Sequence, residues 1–266
     1  MLQHILPFRL DWRDFTLAKD PEFPHENQDA WRIDGPRGIA AIADGTASGI
    51  FCRQWARILT DAAVEDPPDL EDPAGFAGWL ARQRAAWSRS LDTSKLAWYQ
   101  KPKLREGAFA TLLWVRFLPE EAALDSSRAA AGCGRLRGFA IGDSCLFLVR
   151  CGAVVRRFPI QSAAQMDDSP LVLGSVDLNR DGLIRFDRFE EACLPADLIV
   201  LCTDALAEWA LRQEESGRPP QWEDYWDMPE RTWEEEILAL RAAREIRHDD
   251  TTLLLIRVGG EKGTTG

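Results

Sequence analysis

The stretch Gly38-Ile39-Ala40-Ala41-Ile42-Ala43-Asp44-Gly45-Thr46 closes an apolar run of strand length on an aspartate and a glycine. Six apolar or small residues in a row read as a buried strand, and Asp-Gly reads as its exit. Gly45 lets the backbone come close, so its carbonyl is available as a ligand beside the Asp44 carboxylate. Three further segments repeat the theme of an aspartate at a strand edge. Asn27-Gln28-Asp29-Ala30-Trp31 enters a strand, Cys202-Thr203-Asp204-Ala205-Leu206 leaves one and opens a helix, and Arg247-His248-Asp249-Asp250-Thr251 enters the last one. Carboxylates that converge from neighbouring strands repel one another unless cations sit between them, and hard oxygen donors of this kind suit Mg²⁺ or Mn²⁺.

Working outward, strand-length runs rich in β-branched and aromatic residues cover Ala30–Ile33, Gly38–Ala43, Phe109–Phe117, Leu136–Ile141, Cys145–Arg150, Val154–Phe158, Leu198–Cys202 and Thr251–Val258. Gly152 between two of them predicts a hairpin. Helical spacing appears at Ile50–Ala62, at Phe76–Trp87, after Asp204 as a cap, and at Trp233–Leu240 with Arg241, Arg244 and Arg247 towards its end, where the helix dipole favours cations. Two strands, two helices and then several strands without crossover helices predict an α+β fold. Its sheets are antiparallel with helices packed outside, and a doubly wound parallel sheet is disfavoured.

The chain has 266 residues, 43 acidic against 32 basic, for a net charge of −11. That balance disfavours nucleic acid as a partner. The six cysteines form no C-x-x-C pair and read as buried thiols of a reducing cytosol. No stretch approaches the roughly 18 apolar residues of a membrane span, and no targeting segment is evident. The expectation is one domain over residues 1–258, a variable flap at about 160–195, a disordered tail over 259–266, and a cytoplasmic protein with no membrane partner.

The four acidic segments in this order resemble the PPM family of metal-dependent protein Ser/Thr phosphatases, the type 2C class in its bacterial form. The resemblance runs from about Pro24 to Val258. Asn27–Ala30 resembles the first acidic motif, Asp44-Gly45 the "DG" motif, and Gly107–Leu113, loosely, the G-S-T-A strand. Ile141-Gly142-Asp143-Ser144 resembles "GDS", Asp204-Ala205-Leu206 resembles "SDGL", and Asp249–Thr252 the terminal "DN-x-T".

The resemblance implies a four-layer sandwich, two antiparallel sheets flanked by helices on both outer faces. It implies two Mn²⁺ or Mg²⁺ ions, with a third at a weaker site. Asp44 bridges the pair with the Gly45 carbonyl on one ion, Asp204 and Asp249 hold the first, Asp29 holds the second through water, and Asp143 serves the third. The implied reaction is hydrolysis of a phosphoserine or phosphothreonine protein, a kinase or a kinase's target, by water acidified between the metals, without a covalent phosphoenzyme. Asp44, Asp204 and Asp249 are the catalytic candidates. The chain departs from the pattern at Gln28, Thr46, Ala205 and Asp250. The phosphate-gripping arginine would fall near Pro24, where His25 is the nearest candidate for substrate binding.

Three other readings compete. "GDSL" at Gly142–Leu146 names Ser144 as a hydrolase nucleophile, but no G-x-S-x-G or late D-x-x-H accompanies it. Asp177–Arg188 resembles a calcium loop whose twelfth residue, Arg188, replaces the bidentate glutamate. A phosphatase-fold binding or sensor module without turnover uses the same residues, and whether the aspartates hold two metals at once discriminates it.

Overall fold

A computed structural model describes residues 6, 8–46, 49–92, 94, 98, 101–119, 134–166, 170–177 and 185–261. Among the described residues twelve strands and five α-helices follow one another. They are β1 (Phe8–Leu17), β2 (Ala30–Asp34), β3 (Ile39–Ala43), α1 (Cys52–Glu65), α2 (Pro73–Ser90), α3 (Lys101–Glu106), β4 (Phe109–Ala110), β5 (Leu112–Pro119), β6 (Gly134–Ile141), β7 (Cys145–Arg150), β8 (Ala153–Phe158), β9 (Leu173–Gly174), β10 (Asp187–Cys193), β11 (Leu198–Cys202), α4 (Asp204–Glu215), α5 (Glu230–Ala242) and β12 (Thr251–Glu261).

Two five-stranded sheets, ordered β1-β12-β11-β7-β8 and β10-β6-β5-β3-β2, carry the fold, and every pairing in them is antiparallel. Their facing sides pack Ile42, Leu113, Val115, Leu146, Ile199 and Leu254 into one apolar layer. The outer side of the second sheet packs Ala41, Ala43 and Trp114 against Trp55, Leu59 and Trp79 of α1 and α2. The outer side of the first packs Phe147, Val200 and Leu255 against Leu206, Trp233 and Ile237 of α4 and α5. Strands buried on both faces read as continuous apolar runs, as Ile39–Ala43 and Leu198–Cys202 do. The α+β four-layer sandwich expected from the sequence is the fold observed.

Some boundaries differ from expectation. Strand β1 has no counterpart among the expected strands. Its front half buries Phe8 and Leu10 between the sheets, while its back half buries Phe15 and Leu17 under the helices. No single face of the segment is apolar from end to end, so its period is hidden. The run Phe109–Phe117 breaks at Thr111, where β4 pairs with β9 and β5 with β3.

Within the expected flap, β10 joins the second sheet by a seven-residue register with β6; residues 178–184, the centre of the calcium-loop resemblance, lie outside the described residues. Strand β12 runs three residues into the expected tail and sets Glu261 opposite Phe8. Helix α5 ends at Ala242, because Arg244 turns left-handed and Glu245 N–H returns to the Leu240 carbonyl. Arg244 and Arg247 therefore lie beyond the helix. The expected hairpin is present, with Cys151 and Gly152 both at positive φ as a two-residue turn requires. Among the described residues no helix is long and apolar enough to cross a membrane.

Candidate metal centre

The two sheets meet at one end in a cluster of strand termini. Asp44 follows β3, Asp204 follows β11, and Asp29 and Asp250 precede β2 and β12. The β6–β7 turn adds Asp143. Gly142 turns at φ +99°, and a Cβ there would stand 2.5 Å from the Thr111 side chain, so only glycine fits. Gly45 is equally confined, since a Cβ would meet the Gln28 carbonyl at 2.8 Å and the Cys52 backbone at 2.9 Å.

Backbone and hydroxyl groups lock these termini together. Asp44 N–H donates to Thr111 Oγ1 (2.9 Å), Thr111 N–H donates to the Asp44 carbonyl (2.8 Å), and Thr111 Oγ1 shares a hydrogen bond with Ser144 Oγ (2.8 Å). Ser144 is thus a buried support of the Asp44 loop. The buried Thr203 hydroxyl donates to Asp29 Oδ2 (3.0 Å) and accepts Thr252 N–H (3.0 Å), coupling the first, third and last acidic segments. Asp250 accepts Lys19 N–H on one oxygen (2.6 Å) and Gln28 N–H on the other (2.7 Å).

The electrostatics of the cluster are those of crowded carboxylates. Burial pushes the Asp44 carboxyl well above the usual carboxylate range, and the charges of Asp29, Asp204, Asp143 and Asp249 push it the same way. Burial raises Asp29 as well, with Asp250 and Asp204 adding to it and hydrogen bonds from Thr252 and Thr203 opposing. Asp204 is raised by burial, opposed first by Arg247. Asp29 Oδ1 is buried with no hydrogen-bond partner. An orphaned carboxylate oxygen facing like charges is the environment a hard cation relieves, so the donor set fits Mg²⁺ or Mn²⁺ in kind.

The same donors have internal partners. Arg247 Nη2 stands 3.1 Å from Asp204 Oδ2, and Lys19 Nζ 3.6 Å from Asp249 Oδ1. The Gln28 amide, oriented so that its nitrogen donates, reaches the Gly45 carbonyl at 2.5 Å. With these contacts in place, no three His, Cys, Asp or Glu side chains among the described residues are arranged to close on an ion.

His25 sits exposed on the Pro24–Glu26 turn, its ring edge-on to Phe23. Ala205 lies in the first turn of α4: Thr203, rather than the expected Asp204, stands at the N-cap, with no side-chain cap bond because its hydroxyl serves Asp29, and Ala205 N–H donates to Asp204 Oδ1 (2.6 Å).

Two arginines of the site escaped the sequence reading. Arg241, read there as a helix-dipole cation, is buried. It donates to the carbonyls of Ala18 (2.8 Å) and Asp249 (2.6 Å) and to the Thr251 hydroxyl (2.9 Å), pinning the Asp249 loop to the end of β1. Arg247 is the cation on Asp204. An arginine two residues before a candidate ligand is the one signal that pointed there.

No family model matches the chain, and no curated protein matches it. Solved structures do match. The serine/threonine phosphatase PstP of Mycobacterium tuberculosis superposes with a TM-score of 0.58 at 17% identity, covering 94% of this chain and 99% of that one. A catalytic domain of PstP in complex with two manganese ions gives 0.57 at 16% identity, over 95% and 99%. The PPM Ser-Thr phosphatase MsPP of Mycobacterium smegmatis, in complex with cacodylate, gives 0.51 at 16%, over 95% and 99%. At these identities the likeness establishes the fold: this chain is built as those phosphatases are, over nearly its whole length.

Proposed function

We propose that this chain, which has the fold of the PPM phosphatases, is a metal-dependent protein serine/threonine phosphatase. The observation that carries the reading is the convergence of Asp29, Asp44, Asp143, Asp204 and Asp249 at one end of the sheets, where burial and neighbouring charges raise the Asp29, Asp44 and Asp204 carboxyls and Asp29 keeps an unpartnered buried oxygen. On this reading Asp44, Asp204 and Asp249 would hold a first cation and Asp44 and Asp29 a second, with the Gly45 carbonyl and Asp143 as further donors. Bound Mn²⁺ or Mg²⁺ supplies neutralisation of phosphate oxygens and acidification of water.

The chain's own residues do the rest. Thr111 fixes the Asp44 backbone, Thr203 the Asp29 side chain, and Arg241 the Asp249 backbone. The closed-off donors mean that a metal must displace Arg247 and Gln28. That same feature supports the second reading, a phosphatase-fold sensor that binds without turnover.

The experiment is hydrolysis of p-nitrophenyl phosphate and a phosphothreonine peptide with Mn²⁺, with Mg²⁺ and in chelator. Turnover that requires the cation supports the phosphatase. Metal-replete protein inert on every phosphopeptide supports the sensor. Full activity in excess chelator removes the metal mechanism.

A further inference from the structure

A cavity of about 620 Å³ opens beside Asp29, walled by β2, the first turns of α1 and the turn at Pro24. In a chain of net charge −11 its lining carries more arginines than carboxylates: Arg32 from β2 and Arg53 and Arg57 one helical turn apart on α1, against Asp29 and Asp61. The three arginines are not equally engaged. Arg53 donates to the His25 carbonyl, and Arg32 faces Asp61 at 3.8 Å, a loose pair with both partners about half exposed. Arg57 is exposed, and among the described residues its guanidinium makes no ion pair or hydrogen bond. The rest of the wall is mixed, with Asn27 and Thr60 beside two indoles: Trp31 is partly covered, and Trp12 leaves 43% of its surface to solvent. Gly35 lets Trp12 lie flat, since a Cβ there would press on the indole at 2.8 Å.

An unengaged guanidinium and a loosely engaged one, flanking two indoles, are suited to a carboxylate or phosphate on an otherwise apolar segment. The surrounding protein repels such a ligand, so a basic rim decides where it docks. Resting on the phosphatase reading of the adjacent centre, we propose that this cavity reads the residues flanking the phosphorylated one. It selects phosphoproteins with an acidic or second phosphorylated side chain next to the scissile phosphate. Arg57 is the main contact and Arg32 the second. The bulky flank lies against Trp31 and Trp12.

The test compares two phosphothreonine peptides, one flanked by glutamates and one by alanines, in wild type, Arg57→Ala and Arg57→Lys. Binding is read with Mn²⁺ present by fluorescence anisotropy, on versions in which a phosphonate replaces the phosphate so that nothing turns over. Turnover is read as the ratio of KM values for the two phosphopeptides. Wild type should prefer the acidic peptide by about tenfold. Arg57→Ala should erase that preference, Arg57→Lys should restore part of it, and 0.5 M salt should weaken it, as expected of a solvent-exposed rim.

A wild type without preference, or an Arg57→Ala variant that keeps it, overturns the assignment. Equal weakening of both peptides by Arg57→Ala also overturns it, because the arginine would then be holding the scissile phosphate or the fold. Selective binding of the acidic phosphonate by a protein inert on both phosphopeptides leaves the cavity assignment standing and removes the phosphatase reading.

Discussion

The Arg247 guanidinium stands 3.1 Å from Asp204 Oδ2 through Nη2 and 2.6 Å from Glu208 Oε2 through Nε, so a protein cation sits on a carboxylate assigned to the first metal. A dication and a guanidinium cannot share that oxygen without repulsion. Arg247→Ala should therefore bind Mn²⁺ more tightly, by about tenfold, in a calorimetric titration. In chelator the variant should melt lower than wild type, because Asp204 then keeps its burial and loses the charge that offsets it. Unchanged or weaker Mn²⁺ binding would show that Arg247 supports the site instead of competing for it.

Asp44→Asn should lose at least about a hundredfold in activity, since forfeiting a metal removes several kcal/mol of transition-state stabilisation. Its Mn²⁺ binding should fall in parallel. The fold should survive, and in chelator the variant should melt at or above wild type, because one buried carboxylate is removed from a cluster of like charges. An active Asp44→Asn protein would sink the two-metal assignment.

Acid should stabilise the metal-free protein. Asp29, Asp44 and Asp204 all have carboxyls raised in the folded state relative to ordinary values. The folded chain therefore binds protons more tightly than the unfolded one, and stability rises as pH falls through the raised values towards about 4. Thermal melts in chelator should climb as pH falls from neutral towards that lower limit, and saturating Mn²⁺ should flatten the dependence. A chelated protein that loses stability over this interval would show that the cluster is not crowded as described.

Asp250→Asn should destabilise the protein, although the family resemblance makes asparagine the ordinary residue there and implied a mild effect. Both Asp250 oxygens accept backbone N–H groups, from Lys19 and Gln28. An amide offers one acceptor and turns an NH₂ towards the other N–H, so the cost is about 1 kcal/mol or more. A denaturant titration reads it directly, and a midpoint equal to wild type would refute it.

Arg241→Lys should act on the Asp249 loop without touching substrate. Lysine cannot reach the carbonyls of Ala18 and Asp249 and the Thr251 hydroxyl together. The expected outcome is a loss of about 2 kcal/mol in stability and weaker Mn²⁺ binding, with KM for p-nitrophenyl phosphate moving less than kcat.

The sandwich was legible because its central strands are apolar on both faces and its helices carry regular apolar stripes, as at Ile39–Ala43 and Trp55–Leu59. The aspartates were legible because each closes or opens such a strand. What escaped depends on contacts between distant segments. Arg241 lies over 220 residues from the Ala18 carbonyl it holds, and nothing local separates it from a surface arginine on the same helix end. The employment of Ser144 by Thr111 was hidden for the same reason. Strand β10, with charges at Asp187, Arg188, Glu190 and Glu191, lacks the apolar alternation of a half-buried strand because it is an edge.

Strand β12 lies between β1 and β11, pairing with the first strand of the chain on one side. During synthesis that slot stays empty until residues 251–261 emerge. Two backbone edges wait unpaired until then, and Asp249 joins the other aspartates only just before. A chain cut before residue 249 therefore keeps two exposed sheet edges, the kind of surface on which aggregation starts, and lacks the Asp249 carboxylate.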